Sequence, residues 1–150
     1  MNSRVEVIER LLTKHPDSFF VFSNGLTSRE AVQFFPEDRC FYLLHGMGET
    51  LSVGVGLALA KPDLHIVVVE GDGSALMGLA SWSLMPLDNL QYYVLANGVH
   101  ETTGGQALMD FPIVPHWCTI CSIARGQEGT PNPPPPHKII NKFEARIAKK

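Results

Sequence analysis

A chain of 150 residues, 45% of them hydrophobic, makes one ordinary domain able to bury about two-thirds of the surface its unfolded form exposes. A net charge of −3 and a pI near 6.0 leave no basic footprint, so no nucleic-acid partner is expected. The longest apolar stretch, Leu51 to Ala60, is too short to span a bilayer, MNSRVEVIER has no apolar signal region, and three cysteines make no disulfide framework. The expectation is a cytoplasmic protein with no membrane partner.

In chain order, Val5, Ile8, Leu11 and Leu12 recur at helical spacing and predict a helix from Arg4 to Lys14, stopped by His15-Pro16. Phe19 to Phe22 predicts a short buried strand that ends in the turn Ser23-Asn24-Gly25. Thr27-Ser28-Arg29-Glu30 then predicts a helix start with a hydroxyl cap and an early acid, running through Val32, Phe34 and Phe35 to Pro36. Cys40 to Leu44 is the next strand. His45-Gly46-Met47-Gly48 follows it, with two glycines around Met47 that suit a backbone approached closely by a ligand. Gly54 and Gly56 in the helix beyond permit close packing on a sheet. The glycine pattern is not the GxGxxG dinucleotide fingerprint.

Ile66 to Val69 is a β-branched run without alternation, the mark of a strand covered on both faces. It breaks at Gly71-Asp72-Gly73-Ser74, where two glycines turn the chain and Ser74 is expected to cap the next helix. A helix N-terminus attracts phosphate, whereas a carboxylate beside it repels phosphate unless a cation intervenes. Tyr92 to Leu95 is a further strand, ending at Ala96-Asn97-Gly98. Asp72 and Asn97 are hard oxygen donors suited to Mg²⁺ or Ca²⁺. A lone Gly-Asp-Gly is usually a turn and a lone Asn-Gly usually a loop. Their pairing at two strand ends turns both toward a ligand. Strand and helix alternate from Phe19 to Leu95, which predicts an α/β fold of three layers, a mostly parallel sheet flanked by helices, with chemistry at the carboxyl ends of the strands.

Ala107 to Pro115 reads as a loop and Cys118 to Ala124 as a last strand, with Cys118 and Cys121 as buried thiols rather than a redox or zinc pair. Thr130 to Pro136 is a stiff polyproline-like segment leading to a helix from Ile139 to Lys149. The expected organisation is a ligand-binding domain over 1–126 and an arm with a terminal helix over 127–150.

Gly71-Asp72-Gly73 followed at a spacing of 25 by Asn97 resembles the thiamine diphosphate signature. The stretch from Phe20 to Gln106 resembles the diphosphate-binding half of phosphonopyruvate and sulfopyruvate decarboxylases. Asn24 to Glu30 is similar to the family's TGxTSRE, His45 to Gly48 to its GSMG, and Asn97 to Gln106 to its NGAHDSVGGQ. The resemblance implies the thiamine diphosphate-binding fold, with Asp72, Asn97 and the Val99 carbonyl on Mg²⁺. It also implies that Gly73 and Ser74 bind diphosphate oxygens and that Gly25 and Thr27 line the same pocket. Met47 would brace the bent cofactor, its N–H on the aminopyrimidine and the residue 45 carbonyl on the amino group.

This chain has His45 where the family has Gly, Glu49 where the family is often apolar, and a shortened stretch between Gln106 and Trp117. His45 and His100 are the candidate catalytic side chains, His45 as a proton carrier and His100 among the donors, with Thr102, Thr103 and Gly104-Gly105, for an anionic substrate group. In the family the activating glutamate lies on a pyrimidine-binding domain. The resemblance therefore implies a separate pyrimidine-binding α subunit that supplies it, a hetero-oligomer, and a two-chain decarboxylase of an anionic 2-oxo acid, phosphonopyruvate or sulfopyruvate. A carboligase subunit, a non-catalytic assembly subunit and an unrelated Mg²⁺-dependent phosphate-binding module are the alternatives.

Overall fold

The computed structural model describes residues 1–126 and 130–150; the expected start of the arm at 127 lies outside the described residues. Helix α1 (Arg4–Lys14) opens with a capping box, in which Ser3 Oγ accepts from Glu6 N at 3.2 Å and the Glu6 carboxylate accepts from Ser3 N at 2.7 Å. Its buried stripe is Arg4, Val7, Ile8, Leu11 and Leu12, so Val5 is only half-buried and a charged residue takes the place expected for an apolar one.

Five strands form one parallel sheet: β1 (Phe19–Phe22), β2 (Cys40–Tyr42), β3 (Ile66–Gly71), β4 (Leu90–Ala96) and, beyond a two-stranded ribbon of β5 (Val99–His100) and β6 (Gln106–Ala107), β7 (Cys118–Ser122). The spatial order is β2-β1-β3-β4-β7. Successive strand residues point to opposite faces, and the core divides accordingly. Phe20, Phe22, Val67, Val69, Tyr93 and Leu95 face α1 and α2 (Leu26–Phe34), whereas Phe19, Val21, Ile66, Val68, Tyr92 and Val94 face α3 (Thr50–Ala60) and α4 (Asp72–Met77). These are the three layers that the alternation of strand and helix implies. Among the described residues no helix is long and apolar enough to cross a membrane.

Helix α5 (Pro136–Ile147) covers the β2 edge, with Ile139 in one core cluster and Phe143 in the other, edge-on to Phe19 and Phe41 at centroid distances of 5.5 and 5.4 Å. A covered edge cannot recruit another strand.

Local expectations differ from the structure at several places. Helix α2 has no hydroxyl cap: its N-cap is Gly25 at φ 78°, and Thr27 and Ser28 are buried inside the first turn, where Ser28 Oγ donates to Ser23 O at 2.6 Å and so ties the helix to the end of β1. Phe34 on the same helix is 52% exposed. Ser74 does not cap α4 either; the N-cap is Gly71 and the serine hydroxyl is engaged elsewhere. Of the two helix glycines, Gly54 packs on the sheet, since a Cβ there would lie 2.2 Å from Val68 Cγ2, whereas one at Gly56 would meet nothing. Cys118 and Cys121 are free thiols three apart on β7, hence on opposite faces; burial pushes the Cys118 thiol up to about 11.

Two histidines sit at the amino end of the sheet. His15 Nε2 lies 3.0 Å from Tyr93 Oη, His65 Nδ1 lies 2.7 Å from Ser18 Oγ, and the two rings stack at 5.7 Å. Burial holds both imidazoles below their ordinary pKa, with Lys14, Arg39 and the facing His65 adding to the effect at His15. The folded chain then binds these protons less readily than the unfolded chain. Their contribution is fully present above about pH 6.5 and is lost as pH falls through the lowered folded values. Replacing both by Gln is expected to flatten this arm of the stability curve between about pH 7 and 5, read by urea denaturation. Gly54→Ala is expected to cost about 1–3 kcal/mol by overpacking, read the same way.

Candidate functional site

In an open parallel sheet, ligands lodge where the strand order reverses, outside the carboxyl ends. Here the reversal lies at β1, with β2 on one side and β3 on the other. A cleft opens at that end. It is lined by Gly25 and Thr27 after β1, Met47 before α3, Asp72, Gly73 and Ser74 after β3, and Asn97, Val99 and His100 after β4.

The register of β3 and β4 pairs Gly71 with Leu95, which sets Asp72 beside the chain that turns at Asn97. The spacing of 25 residues thus measures a crossover between neighbouring strand ends. Asp72 is buried, and its Oδ2 accepts from Asn97 N at 2.9 Å and Gly98 N at 2.7 Å while Oδ1 accepts from Gly73 N at 2.9 Å. These are charge-assisted bonds. A carboxylate offers about four acceptor positions, so one remains for a cation.

Asn97 is held at both ends of its amide. Its Nδ2 donates to Glu101 Oε2 at 2.7 Å, and its Oδ1 accepts from Val99 N at 3.0 Å with a lone pair to spare. Glu101 also accepts from Gly126 N and from Arg4 Nη2 at 2.5 Å, and Arg4 Nη1 reaches Glu30 Oε1 at 3.2 Å.

A second set of bonds joins the Met47 loop to the turn at Asp72. Ser74 Oγ donates to Glu70 Oε1 at 2.5 Å and accepts from Gly48 N at 2.9 Å, while Tyr92 Oη donates to Glu70 Oε2 at 2.7 Å. Glu70 is 1% exposed; burial raises its pKa, and the Ser74 and Tyr92 hydroxyls partly offset that. Because the Ser74 hydroxyl proton is engaged, the donor that Ser74 has left for an anion is its backbone N–H. The two loops meet backbone to backbone, since a Cβ on Gly78 would lie 2.2 Å from Gly48 O. Gly46 and Gly48, at φ 79° and 88°, hold Met47 between two left-handed residues.

His100 packs over Gly73, where a Cβ would stand 2.6 Å from its Nδ1. His45 is exposed and stands outside the residues that line the cleft, as does Gly46. Arg4, Glu70 and Glu101 have no role in the expectations drawn from sequence. Two of them carry a legible signal: Glu70 is a charge closing an apolar strand, and Arg4 lies four residues before Ile8 on the buried stripe of α1.

The donor set suits a divalent cation and a diphosphate. Asn24 Oδ1 lies in the cleft wall, buried and without a hydrogen-bond partner among the described residues. Leu26 and Thr27 open α2, where helix N–H groups lack intrahelical acceptors. Asp72 and Glu101 against the Arg4 guanidinium leave the cleft one charge negative, which repels an anion unless a cation bridges them. Among the described residues no three His, Cys, Asp or Glu side chains cluster to bind a metal, so a metal here relies on one carboxylate, neutral oxygens and the anion itself.

Comparison with known proteins adds the lineage. Residues 23–148 match the sequence model of the thiamine pyrophosphate enzyme C-terminal TPP binding domain. A phosphonopyruvate decarboxylase of Streptomyces hygroscopicus is 42% identical over 124 residues, 77% of this chain and 31% of that protein. A sulfopyruvate decarboxylase subunit beta of Methanothermobacter thermautotrophicus is 38% identical over 109 residues, and one of Methanocaldococcus jannaschii 35% over 107; they take in 71% and 69% of this chain. The chain spans 58% and 56% of those two relatives and about a third of the first.

Asp72→Asn replaces one acceptor oxygen by a donor that must face a backbone N–H. In the ligand-free chain it is expected to cost about 1.5–3 kcal/mol, the value of a lost charged hydrogen bond, measured by denaturant unfolding.

Proposed function

The chain belongs to the thiamine pyrophosphate enzymes through their C-terminal cofactor-binding domain, and from that premise we propose that it is the diphosphate-binding β subunit of a two-chain 2-oxo acid decarboxylase. Its substrate is phosphonopyruvate or sulfopyruvate, converted to the corresponding aldehyde and CO₂. The observation that carries the reading is Asp72 clasping the Asn97 turn at the mouth of a cleft whose charge calls for a cation. The names of the relatives, one a phosphonopyruvate decarboxylase and two sulfopyruvate decarboxylase β subunits, support the substrate class.

In this proposal Asp72, Asn97 Oδ1 and the Val99 carbonyl hold Mg²⁺, and backbone N–H groups of Leu26, Thr27 and Ser74 hold the diphosphate beside it. Thiamine diphosphate so bound supplies the electron sink for loss of CO₂ from a 2-oxo acid. Met47 braces the cofactor at the rim of the cleft. His100, half-buried against Gly73, presents its imidazole to the cleft as a donor to the anionic end of the substrate. Thr102 and the Gly104 N–H join it; Gly105 N–H is already spent on His100 O at 2.9 Å. His45, exposed in this chain, carries protons only once a partner covers it. That partner is a pyrimidine-binding α subunit supplying the activating glutamate, and the naming of two relatives as subunit beta supports the division.

Calorimetric titration of thiamine diphosphate with Mg²⁺ into the chain, alone and with a pyrimidine-domain partner, tests the reading. Saturable binding that strengthens with the partner and disappears in Asp72→Ala is the expected outcome. Binding that is indifferent to Asp72→Ala, or absent in both settings, overturns it.

A further inference from the structure

The guanidinium of Arg4 ties the first helix to the loop that carries Asn97, and the family match does not account for it, because that match begins at residue 23. Arg4 is 5% exposed, lines the cleft and sits between two carboxylates, Glu30 on α2 and Glu101 after β5. On Glu101 it shares the oxygen Oε2 with Asn97 Nδ2.

A side-chain amide has a donor end and an acceptor end. Pinning the Asn97 donor end on Glu101 turns Oδ1 the other way, where it accepts from Val99 N and keeps one lone pair open. Glu101 can serve as that pin only while its own charge is answered. Left without a cation, a carboxylate with 14% side-chain exposure would compete with Asp72 for the metal or turn toward water, and the amide would lose its orientation. The planar fork of arginine, unlike a lysine ammonium, reaches Glu30 and Glu101 at once and so holds both elements in place.

We infer that Arg4 is a positioning residue for the metal loop: it fixes the Glu101 carboxylate, which fixes the Asn97 amide with its oxygen presented to a divalent cation. The inference rests on the function proposed above and extends it to the first helix. Groups of this kind behind a metal ligand alter metal affinity by about 10- to 100-fold when removed.

The test titrates Mn²⁺, followed by its electron paramagnetic resonance signal, into the whole chain with thiamine diphosphate present, without and with the pyrimidine-domain partner. Arg4→Met is expected to weaken Mn²⁺ binding by about 10- to 100-fold. Arg4→Lys, which keeps the charge and loses the fork, is expected to fall between, and it carries the comparison should Arg4→Met not fold. Glu30→Gln disturbs the same ion cluster at its other end and is expected to keep Mn²⁺ affinity near the wild-type value. Without metal or cofactor, backbone amide exchange at Asn97 and Gly98 is expected to quicken by about tenfold or more in Arg4→Met and to stay unchanged in Glu30→Gln. Unchanged Mn²⁺ affinity in the Arg4 variants overturns the inference, and so does an equal loss in Glu30→Gln, which would make the cluster merely structural. A wild-type chain that binds no Mn²⁺ with thiamine diphosphate overturns the proposed function instead, and the amide exchange then decides by itself whether Arg4 orders the loop.

Discussion

The carboxylate of Asp72 is the point on which the functional end of this protein depends. It accepts backbone N–H groups from its own turn and from the turn after β4, so one side chain joins two loops that leave neighbouring parallel strands. Parallel strands need long crossovers, and nothing local brings their ends together. The register of β3 against β4 does so, and the charge of Asp72 then fastens the ends.

The fold around it is divided in kind along the strands. Midway along the sheet both faces are apolar, with aromatic and β-branched side chains shared between two helix layers. At the carboxyl end the buried residues turn polar: Ser23, Glu70, Asp72 and Ser74 lie within three residues of a strand end, and Thr27 and Ser28 in the first turn of α2. Their groups find one another, as Ser23 Oγ does in accepting Gly71 N at 3.1 Å and Ser74 in linking Glu70 to Gly48. Buried polar networks cost stability when incomplete and rigidify a site when satisfied. Two buried atoms of residues that line the cleft, Asn24 Oδ1 and Arg4 Nε, have no hydrogen-bond partner among the described residues.

Much of this is legible in the order of residues alone. The unalternated run at Ile66, the glycine-bracketed acid, and the second polar strand end a crossover later specify a parallel sheet and the place of its ligand site. The hydroxyl caps expected at Thr27 and Ser74 do not form: both helices take a glycine as N-cap, and the Ser74 hydroxyl is engaged by Glu70 and Gly48 instead. Ser28, next to Thr27, likewise turns its hydroxyl back on the end of β1. Capping rules assume that the nearest backbone N–H is the best donor to the hydroxyl oxygen, and at a crowded strand end it is not. His45, singled out by its motif position, is exposed in this chain.

Hydrophobic period and turn chemistry are local properties, so the sequence by itself determined the strands of the main sheet, their parallel arrangement, and Asp72 and Asn97 as the residues at the strand ends, but not the antiparallel ribbon of β5 and β6. The partners of Arg4, Glu70 and Glu101 are not local. Arg4 meets Glu101 across 97 residues and Glu70 meets Tyr92 across 22, distances over which a residue's charge or hydroxyl says nothing of whom it will face. Only the packing of α1 beside α2 and the pairing of β3 with β4 decided those contacts, because burial removes water as an alternative partner and leaves each polar group the neighbours that the fold supplies.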